Sequence, residues 1–284
     1  MSKDVKAKHK KKYDTFSITM ELERPLLYDE DDDEDIANYR GDKIKKGIGL
    51  FALGILILSV VSFFIWCSNS YKPQELARES LVSDNIVEVE DGDYISFTPK
   101  QVNTNKGFIF YPGARVEPES YAPLCRKIAQ SGYKVIVLKM PFNFPMLSPN
   151  RGEKVIEKYN NIDTWIVGGH SLGGTMAAKF ASDNRMTDGV VLIASYPMND
   201  DLKNLGKRVI SICGSKDGVI NFKKFVDSKG KLPTDTIFDE IEGANHSQFG
   251  DYGKQKGDND AIISQEKQLD ITASSIIKFI EGIN

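Results

Sequence analysis

Residues Gly47 to Cys67 form one apolar run, GIGLFALGILILSVVSFFIWC, that contains no charged residue. A helical run of about twenty such residues matches the hydrocarbon thickness of a bilayer. The region before it is too long for a cleaved signal peptide, and Trp66 is a poor residue for a cleavage site. The run therefore predicts a transmembrane helix over residues 47–67 that stays attached to the chain and binds the lipid bilayer.

The flanking charges predict the orientation of this helix. Lys43, Lys45 and Lys46 precede the run, whereas SNSYKP follows it. Because lysines are enriched on the cytoplasmic side of a membrane span, we expect a single-pass protein of the cell membrane. Its N-terminus would be cytoplasmic, and everything after Cys67 would be extracytoplasmic.

Residues 1–46 have few apolar residues and no sustained periodicity. Six lysines lie within the first twelve residues, and an acidic run covers Asp29 to Asp35. This composition predicts a disordered, charged cytoplasmic tail. A solvated tail near a membrane is favoured over a nucleic-acid-binding one, and no nucleic-acid partner is expected.

After a polar linker over residues 68–84, the pattern over residues 85–284 predicts one folded domain. Short apolar runs such as GFIFYPG, YKVIVLKMP, DTWIVGGH and DGVVLIASYP alternate with helical patterns. This alternation is typical of an α/β fold, a mostly parallel sheet with helices on both faces. Only MNDDLKNLG separates DGVVLIASYP from KRVISICGS, which leaves no room for a large lid.

The segment Gly169-His170-Ser171-Leu172-Gly173 fits the pattern G-x-S-x-G directly after the apolar run TWIV. In a sharp strand-to-helix turn the glycines leave space for an exposed serine, so Ser171 is the predicted nucleophile. A base must take its proton, and the chain has three histidines. His9 belongs to the tail and His170 lies within the turn, so His246 in EGANHSQFGDYG is the predicted base.

The acid that orients the histidine should lie between Ser171 and His246 in the chain. Asp217 follows an apolar strand in a glycine turn, within KRVISICGSKDG, and Asp200 is the second candidate. The backbone amides of Leu172 and Ala114 are predicted to bind the oxyanion of the tetrahedral intermediate. Four further residues are candidates for the pocket wall, namely Tyr111, Arg115, Phe249 and Tyr252.

The segments FYPGARVEPESYAPL, GGHSLGGTMAAKFA, ICGSKDGV and EGANHSQFGDYG together resemble the dienelactone-hydrolase-related α/β-hydrolases. They are most similar to the membrane-anchored bacterial group, over residues 85–284. The resemblance implies an α/β-hydrolase fold with Ser171, Asp217 and His246 as the triad. Dienelactone hydrolases use a cysteine nucleophile where this chain has serine, so their substrate is not carried over.

These features predict a membrane-anchored serine hydrolase that cleaves an ester or related acyl bond in a small-molecule substrate through an acyl-enzyme. Cys67, Cys125 and Cys213 include no CxxC pair, so neither a disulfide framework nor a zinc site is indicated, and no cofactor is expected. Thioesterase or peptidase activity on the same triad stays open. So does a catalytically idle hydrolase fold used as a surface binding module.

Overall fold

The computed structural model describes residues 30–101 and 105–283. Contacts divide the chain into two compact units, Met1–Val60 and Val61–Asn284. The described residues of the first unit are helical and belong to α1, which covers Glu30–Ser68. The second unit contains the remaining helices and all strands of the described residues.

Helix α1 contains a segment of 24 residues, Lys43–Trp66, that is long and apolar enough to cross a membrane. Most of its apolar side chains are exposed, with Leu50 70% and Phe51 72% exposed. An apolar helix surface of this kind is suited to lipid rather than to water.

The helix begins earlier than the sequence pattern predicts. Residues 30–46 are helical, although they belong to the segment predicted as a disordered tail. Two effects account for this difference. Acidic residues stabilise a helix N-terminus, and extending an existing apolar helix costs less than nucleating a new one. Residues 1–29 of the predicted tail lie outside the described residues.

The second unit is built on one sheet of eight strands in the order β1-β2-β4-β3-β5-β6-β7-β8. Strands β1 and β2 form an antiparallel hairpin, β2 pairs antiparallel with β4, and the other pairs are parallel. The strands cover Val87–Asp91 (β1), Tyr94–Pro99 (β2), Lys106–Tyr111 (β3), Lys134–Leu138 (β4), Thr164–His170 (β5), Gly189–Ile193 (β6), Arg208–Gly214 (β7) and Ile237–Ile241 (β8).

Helices cover both faces of this sheet. The α-helices are Glu75–Glu79 (α2), Ala122–Gln130 (α3), Glu153–Lys158 (α4), Leu172–Asp183 (α5), Phe222–Ser228 (α6) and Gln265–Glu281 (α7). Short 3-10 helices cover Pro118–Tyr121, Pro141–Asn143, Pro145–Leu147, Pro149–Gly152, Lys229–Lys231 and Ser247–Phe249. The predicted α/β architecture, a mostly parallel sheet with helices on both faces, is confirmed.

Alternation along the strands divides the core into two layers. In β3, Phe108 and Phe110 pack with α3 and α7, whereas Ile109 and Tyr111 pack with α4 and α5. Successive side chains of a strand point to opposite faces, so a buried central strand is apolar throughout. This explains why the run GFIFY has no polar residue.

The folded unit begins before the predicted boundary at residue 85. Tyr71 forms a β-bridge with Val116, and the buried Ala77 donates its amide to Asp251 Oδ2 at 2.7 Å. Part of the predicted linker over residues 68–84 therefore packs on the domain. The predicted absence of a lid is matched in the segment between β6 and β7, because residues 194–207 are all described and contain no α-helix.

Parallel strands place their carboxyl ends at the same edge of the sheet, which is where sites of such folds lie. Ala114 follows β3, Ser171 follows β5, Asp217 follows β7 and His246 follows β8. The topology thus brings the predicted site residues to one edge.

Candidate active site

Ser171 occupies the turn between β5 and α5 with φ 54° and ψ −127°. Positive φ is costly for a residue other than glycine and is characteristic of functional sites when surrounding contacts enforce it. Here the contacts are close. A Cβ on Gly173 would lie 2.1 Å from the Tyr111 carbonyl oxygen, and one on Gly169 would lie 2.4 Å from the same atom. The turn can therefore form only with glycine at both positions.

His246 has one ring nitrogen bound and the other free. Its Nδ1 lies 2.7 Å from Asp217 Oδ2, and both side chains are 1% exposed. The carboxylate accepts a hydrogen bond from the Nδ1–H group, which leaves the lone pair of the neutral ring on Nε2. That Nε2 is buried and has no hydrogen-bond partner among the described residues. It is therefore free to accept a proton.

Asp217 is held by the turn that carries it. Its Oδ1 accepts the amides of Val219 and Ile220, each at 2.8 Å. These bonds leave Oδ2 directed at the His246 ring. Asp200, the second candidate for the acid, lies exposed in the segment between β6 and β7, and its backbone carbonyl accepts the amide of Lys203.

The two predicted oxyanion donors are backbone amides that lack a hydrogen-bond acceptor for different reasons. Leu172 is the first residue of α5, where an amide has no acceptor within the helix. Ala114 lies between two residues whose amides are engaged, since Gly113 donates to Tyr121 Oη at 3.0 Å and Arg115 to the Asn143 carbonyl at 2.6 Å. Within the described ranges the Ala114 amide has no partner.

A cavity of about 350 Å³ opens beside these residues. Ser171, Leu172 and His246 all line it. The rest of its wall comes from the loops after β6 and β7 and from α5, namely Thr175, Ala194, Ser195, Tyr196, Met198, Val219, Ile220 and Asn221. The cavity is mainly apolar, and Ser171, His246 and one predicted oxyanion donor share it.

The family model described as the alpha/beta hydrolase family matches residues 107–270. The chain belongs to the alpha/beta hydrolase family. The solved structures that are similar to this chain include the following two. A predicted CIB-like hydrolase from Thermoplasma acidophilum is 14% identical, with a TM-score of 0.51 over 68% of this chain and 97% of that one. Est1E from Butyrivibrio proteoclasticus is 11% identical, with a TM-score of 0.50 over 69% and 98%.

At such low identity, these two structures establish a common fold and nothing finer. A search of the curated proteins found no match to this chain. Closer kinship with the dienelactone-hydrolase-related group stays a prediction from the sequence.

Asp258 is a residue of this alpha/beta hydrolase that sequence reasoning missed. The residue is 7% exposed, and its carboxylate accepts the amides of Gly218 at 3.1 Å, His246 at 3.3 Å and Ser247 at 2.7 Å. One buried side chain thus ties the turn that carries Asp217 to the loop that carries His246. Nothing in the sequence distinguishes it from Asp260, the other acidic residue of QKGDND.

Ser195 was also missed, and it supports the strained serine. Its hydroxyl donates to the Ser171 carbonyl at 2.7 Å and lies 3.2 Å from Thr175 Oγ1. The Ser171 amide donates to the Ile193 carbonyl at 2.9 Å. The backbone groups of Ser171 are therefore bonded to the end of β6 and to the loop that follows it, and these bonds offset the cost of the positive φ.

Tyr121 connects the loop after β3 to His170. Its hydroxyl accepts the Gly113 amide and lies 2.9 Å from His170 Nδ1, so its single proton goes to that nitrogen. Burial raises the pKa of Tyr121, which keeps the phenol protonated. Burial, followed by the nearby His246 ring, holds the pKa of His170 well below its usual range. His170 is thus a buried, neutral hydrogen-bond acceptor rather than a base.

The four candidate pocket residues do not line the cavity at Ser171. Tyr111 is buried on the α4 and α5 side, where its hydroxyl donates to the Pro149 carbonyl at 2.8 Å. Phe249 and Tyr252 lie in the opposite core layer. The Arg115 guanidinium donates to the Asn69 carbonyl at 2.6 Å and lies 4.4 Å from the centre of the Trp66 ring.

Cys125 and Cys213 belong to the interior of the domain. Cys125 and Cys213 are both buried, and burial raises the pKa of each thiol, so neither is a reactive thiolate. Among the residues that the structure describes, no three His, Cys, Asp or Glu side chains converge in a way that would hold a metal ion.

Proposed function

We propose that this chain is a membrane-anchored serine hydrolase that cleaves short-chain esters through an acyl-enzyme on Ser171. One observation carries the proposal. The unpartnered Nε2 of His246 is buried beside the cavity that Ser171 lines, and its Nδ1 is fixed by Asp217. A ring held in this tautomer is what a serine nucleophile needs as its general base.

In the proposed mechanism, Ser171 Oγ attacks the ester carbonyl carbon while His246 Nε2 takes the hydroxyl proton. The carbonyl oxygen becomes an oxyanion that the amides of Leu172 and Ala114 stabilise. The tetrahedral intermediate then expels the alcohol, which receives the proton from Nε2. Water, deprotonated by the same nitrogen, attacks the acyl-enzyme and releases the acid, and Ser171 regains its proton.

The cavity supports a short acyl group. Its volume is about 350 Å³ and its wall is mainly apolar, with Leu172, Val219 and Ile220 among the lining residues. In addition, residues 194–207 form no helical cap that would cover a long chain. Esters of short acids fit this space, whereas most of a long acyl chain would remain in water.

Hydrolysis of p-nitrophenyl esters tests the proposal. We expect the full chain in detergent to hydrolyse the acetate and butyrate faster than the palmitate. Ser171→Ala should lower kcat by about 10⁴-fold or more and leave thermal unfolding unchanged, because only the nucleophile is lost. Ser182→Ala, at the half-buried C-terminal end of α5, is the matched control and should retain full activity. If wild type and Ser171→Ala both hydrolyse the esters no faster than the uncatalysed background, catalysis is refuted and an idle binding module is favoured.

The anchor and its orientation belong to the same proposal. We infer that α1 crosses the cell membrane with its N-terminus in the cytoplasm, from the exposed apolar segment Lys43–Trp66 and the lysines at its start. Protease added to intact cells should then digest the domain after Cys67 and spare an N-terminal epitope tag. Digestion of the tag with protection of the domain would reverse the orientation.

A further inference from the structure

A short segment after β4 carries large apolar side chains into solvent. It covers Pro141–Leu147, and we call it the aromatic loop. Phe142 and Met146 are each 51% exposed and Leu147 is 44% exposed, and the sequence PFNFPML contains no charge. A cluster of exposed apolar side chains within seven residues is typical of an interaction surface.

The aromatic loop contacts the end of the apolar segment of α1. The ring of Phe64 lies 4.6 Å from that of Phe142, and the rings of Phe63 and Trp66 lie 5.3 and 6.3 Å from that of Phe144. All of these residues belong to the Val61–Asn284 unit. Phe63, Phe64 and Trp66 are the last aromatic residues of the segment Lys43–Trp66.

The end of a membrane span lies at the boundary between hydrocarbon and headgroups, where tryptophan and other aromatic side chains are enriched. Side chains in ring contact with that end share its depth. If α1 spans the bilayer, Phe142 and Phe144 therefore lie at the same boundary, and the exposed Met146 and Leu147 are next to them in the chain.

The aromatic loop is also bonded to the predicted oxyanion loop. The Arg115 amide donates to the Asn143 carbonyl at 2.6 Å, and the Arg115 side chain lies over Trp66 and donates to the Asn69 carbonyl. Arg115 has φ 61° and Asn143 has φ 53°, so both turns depend on these contacts. Ala114 directly precedes Arg115, at the carboxyl edge of the sheet.

We propose that the aromatic loop inserts Phe142, Met146 and Leu147 into the interface of the lipid bilayer, which holds the carboxyl edge of the sheet beside the membrane. A bilayer is the occupant favoured over a protein partner because the loop continues the aromatic end of the apolar segment and carries no charge. The proposal rests on the proposed membrane span of α1. The proposal places the carboxyl edge of the sheet beside the membrane. The volume of the cavity at Ser171 still limits the acyl group to a short one.

Depth-dependent quenching tests this placement in the full chain. The environment-sensitive fluorophore NBD is attached to Met146→Cys in a chain that carries Cys67→Ser, since Cys125 and Cys213 are buried. The protein is reconstituted into vesicles of phosphatidylcholine and phosphatidylglycerol with or without a lipid bearing a doxyl quencher near its headgroup. Ile65→Cys, 66% exposed at the end of the span, reports the depth of the anchor. Met186→Cys, 60% exposed at the amino end of β6, is the matched control.

We expect the doxyl lipid to quench the fluorophore at Met146 as strongly as at Ile65, and to leave the one at Met186 unquenched. Quenching at Ile65 without quenching at Met146 would overturn the proposal and retain the anchor. If the emission at Met146 is then blue-shifted, the loop lies against a protein surface instead of lipid. Loss of quenching at Ile65 would refute the span itself. Leu147→Cys gives a second, independent position, and thermal unfolding of each labelled protein verifies that it is folded.

Discussion

Asp217 Oδ2 lies 2.7 Å from His246 Nδ1, and both side chains are 1% exposed. A buried carboxylate at this distance fixes the proton of the ring on Nδ1 and stabilises the imidazolium that forms when Nε2 takes a proton. The pair joins the loop after β7 to the loop after β8, and its two residues are 29 positions apart in the chain.

Replacing this carboxylate tests its role in catalysis. Asp217→Asn should lower kcat for p-nitrophenyl acetate by about 10⁴-fold, because an amide NH₂ facing Nδ1 forces the proton onto Nε2. Asp200→Asn is the matched control, since Asp200 is exposed in a loop and was the other candidate for the acid. If Asp200→Asn loses activity and Asp217→Asn keeps it, the two assignments are reversed.

Removing the Asp258 carboxylate should lower both stability and turnover. Asp258→Ala leaves the amides of Gly218, His246 and Ser247 unpaired, and we expect a loss of about 3 to 5 kcal/mol in the free energy of unfolding. Asp258→Asn keeps one carbonyl oxygen and should lose less. In that milder variant kcat should also fall, because the loop that carries His246 moves.

The control for Asp258 is its neighbour Asp260, whose side chain is 87% exposed and pairs only with Lys254 among the described residues. Asp260→Asn should stay within about 0.5 kcal/mol of wild type. Urea unfolding of the full chain in detergent measures these differences. Equal stability of Asp258→Ala and Asp260→Asn would show that the carboxylate of Asp258 does not hold the two loops together.

Gly173, two residues after Ser171, has no room for a side chain. Gly173→Ala would place a Cβ 2.1 Å from the Tyr111 carbonyl oxygen and 2.3 Å from that of Pro112. Because these are backbone atoms, the loop after β3 must shift, and Ala114, the predicted oxyanion donor, moves with it. We expect activity to fall by at least about 10²-fold. Gly92→Ala, where no atom lies within 4 Å of the added Cβ, should leave activity unchanged.

Acid should destabilise the domain through His170. Burial, followed by the adjacent His246 ring, holds the pKa of His170 well below 6.5. In the unfolded chain the same ring takes up a proton below about pH 6.5. The folded state then binds fewer protons than the unfolded state, so the contribution of His170 to stability is complete above that pH and is lost as the pH falls.

The replacement His170→Gln isolates this contribution. Between pH 6.5 and 5, the free energy of unfolding of the wild type should fall more steeply than that of the variant, by up to about 1.4 kcal/mol per pH unit at full protonation of the unfolded ring. Urea unfolding at several pH values measures both slopes. Parallel slopes would mean that His170 is protonated in the folded protein.

The fold and the positions of the predicted triad could be anticipated because they depend on local patterns. Buried parallel strands need continuous apolar runs, and a strand-to-helix turn around a serine needs glycine on both sides. His246 could be selected because the chain has only three histidines. Asp217 stood out from other carboxylates because it follows the apolar strand β7 within a glycine turn.

The supporting residues could not be anticipated, since their roles come from contacts between distant parts of the chain. Tyr121 meets His170 across 49 residues and Ser195 meets Ser171 across 24 residues. The sequence also does not show which face of the sheet a side chain at the end of a strand occupies. Tyr111 was a candidate for the pocket, yet the alternation in β3 directs it towards α4 and α5.

The most direct test of the central claim is to react the full chain with a fluorophosphonate and to locate the adduct by peptide mass spectrometry. The account predicts a single phosphonyl group on Ser171 Oγ, formed at least about 10²-fold more slowly in His246→Gln because the general base is lost. An unmodified chain, or an adduct on another residue with Ser171 left free, would contradict it.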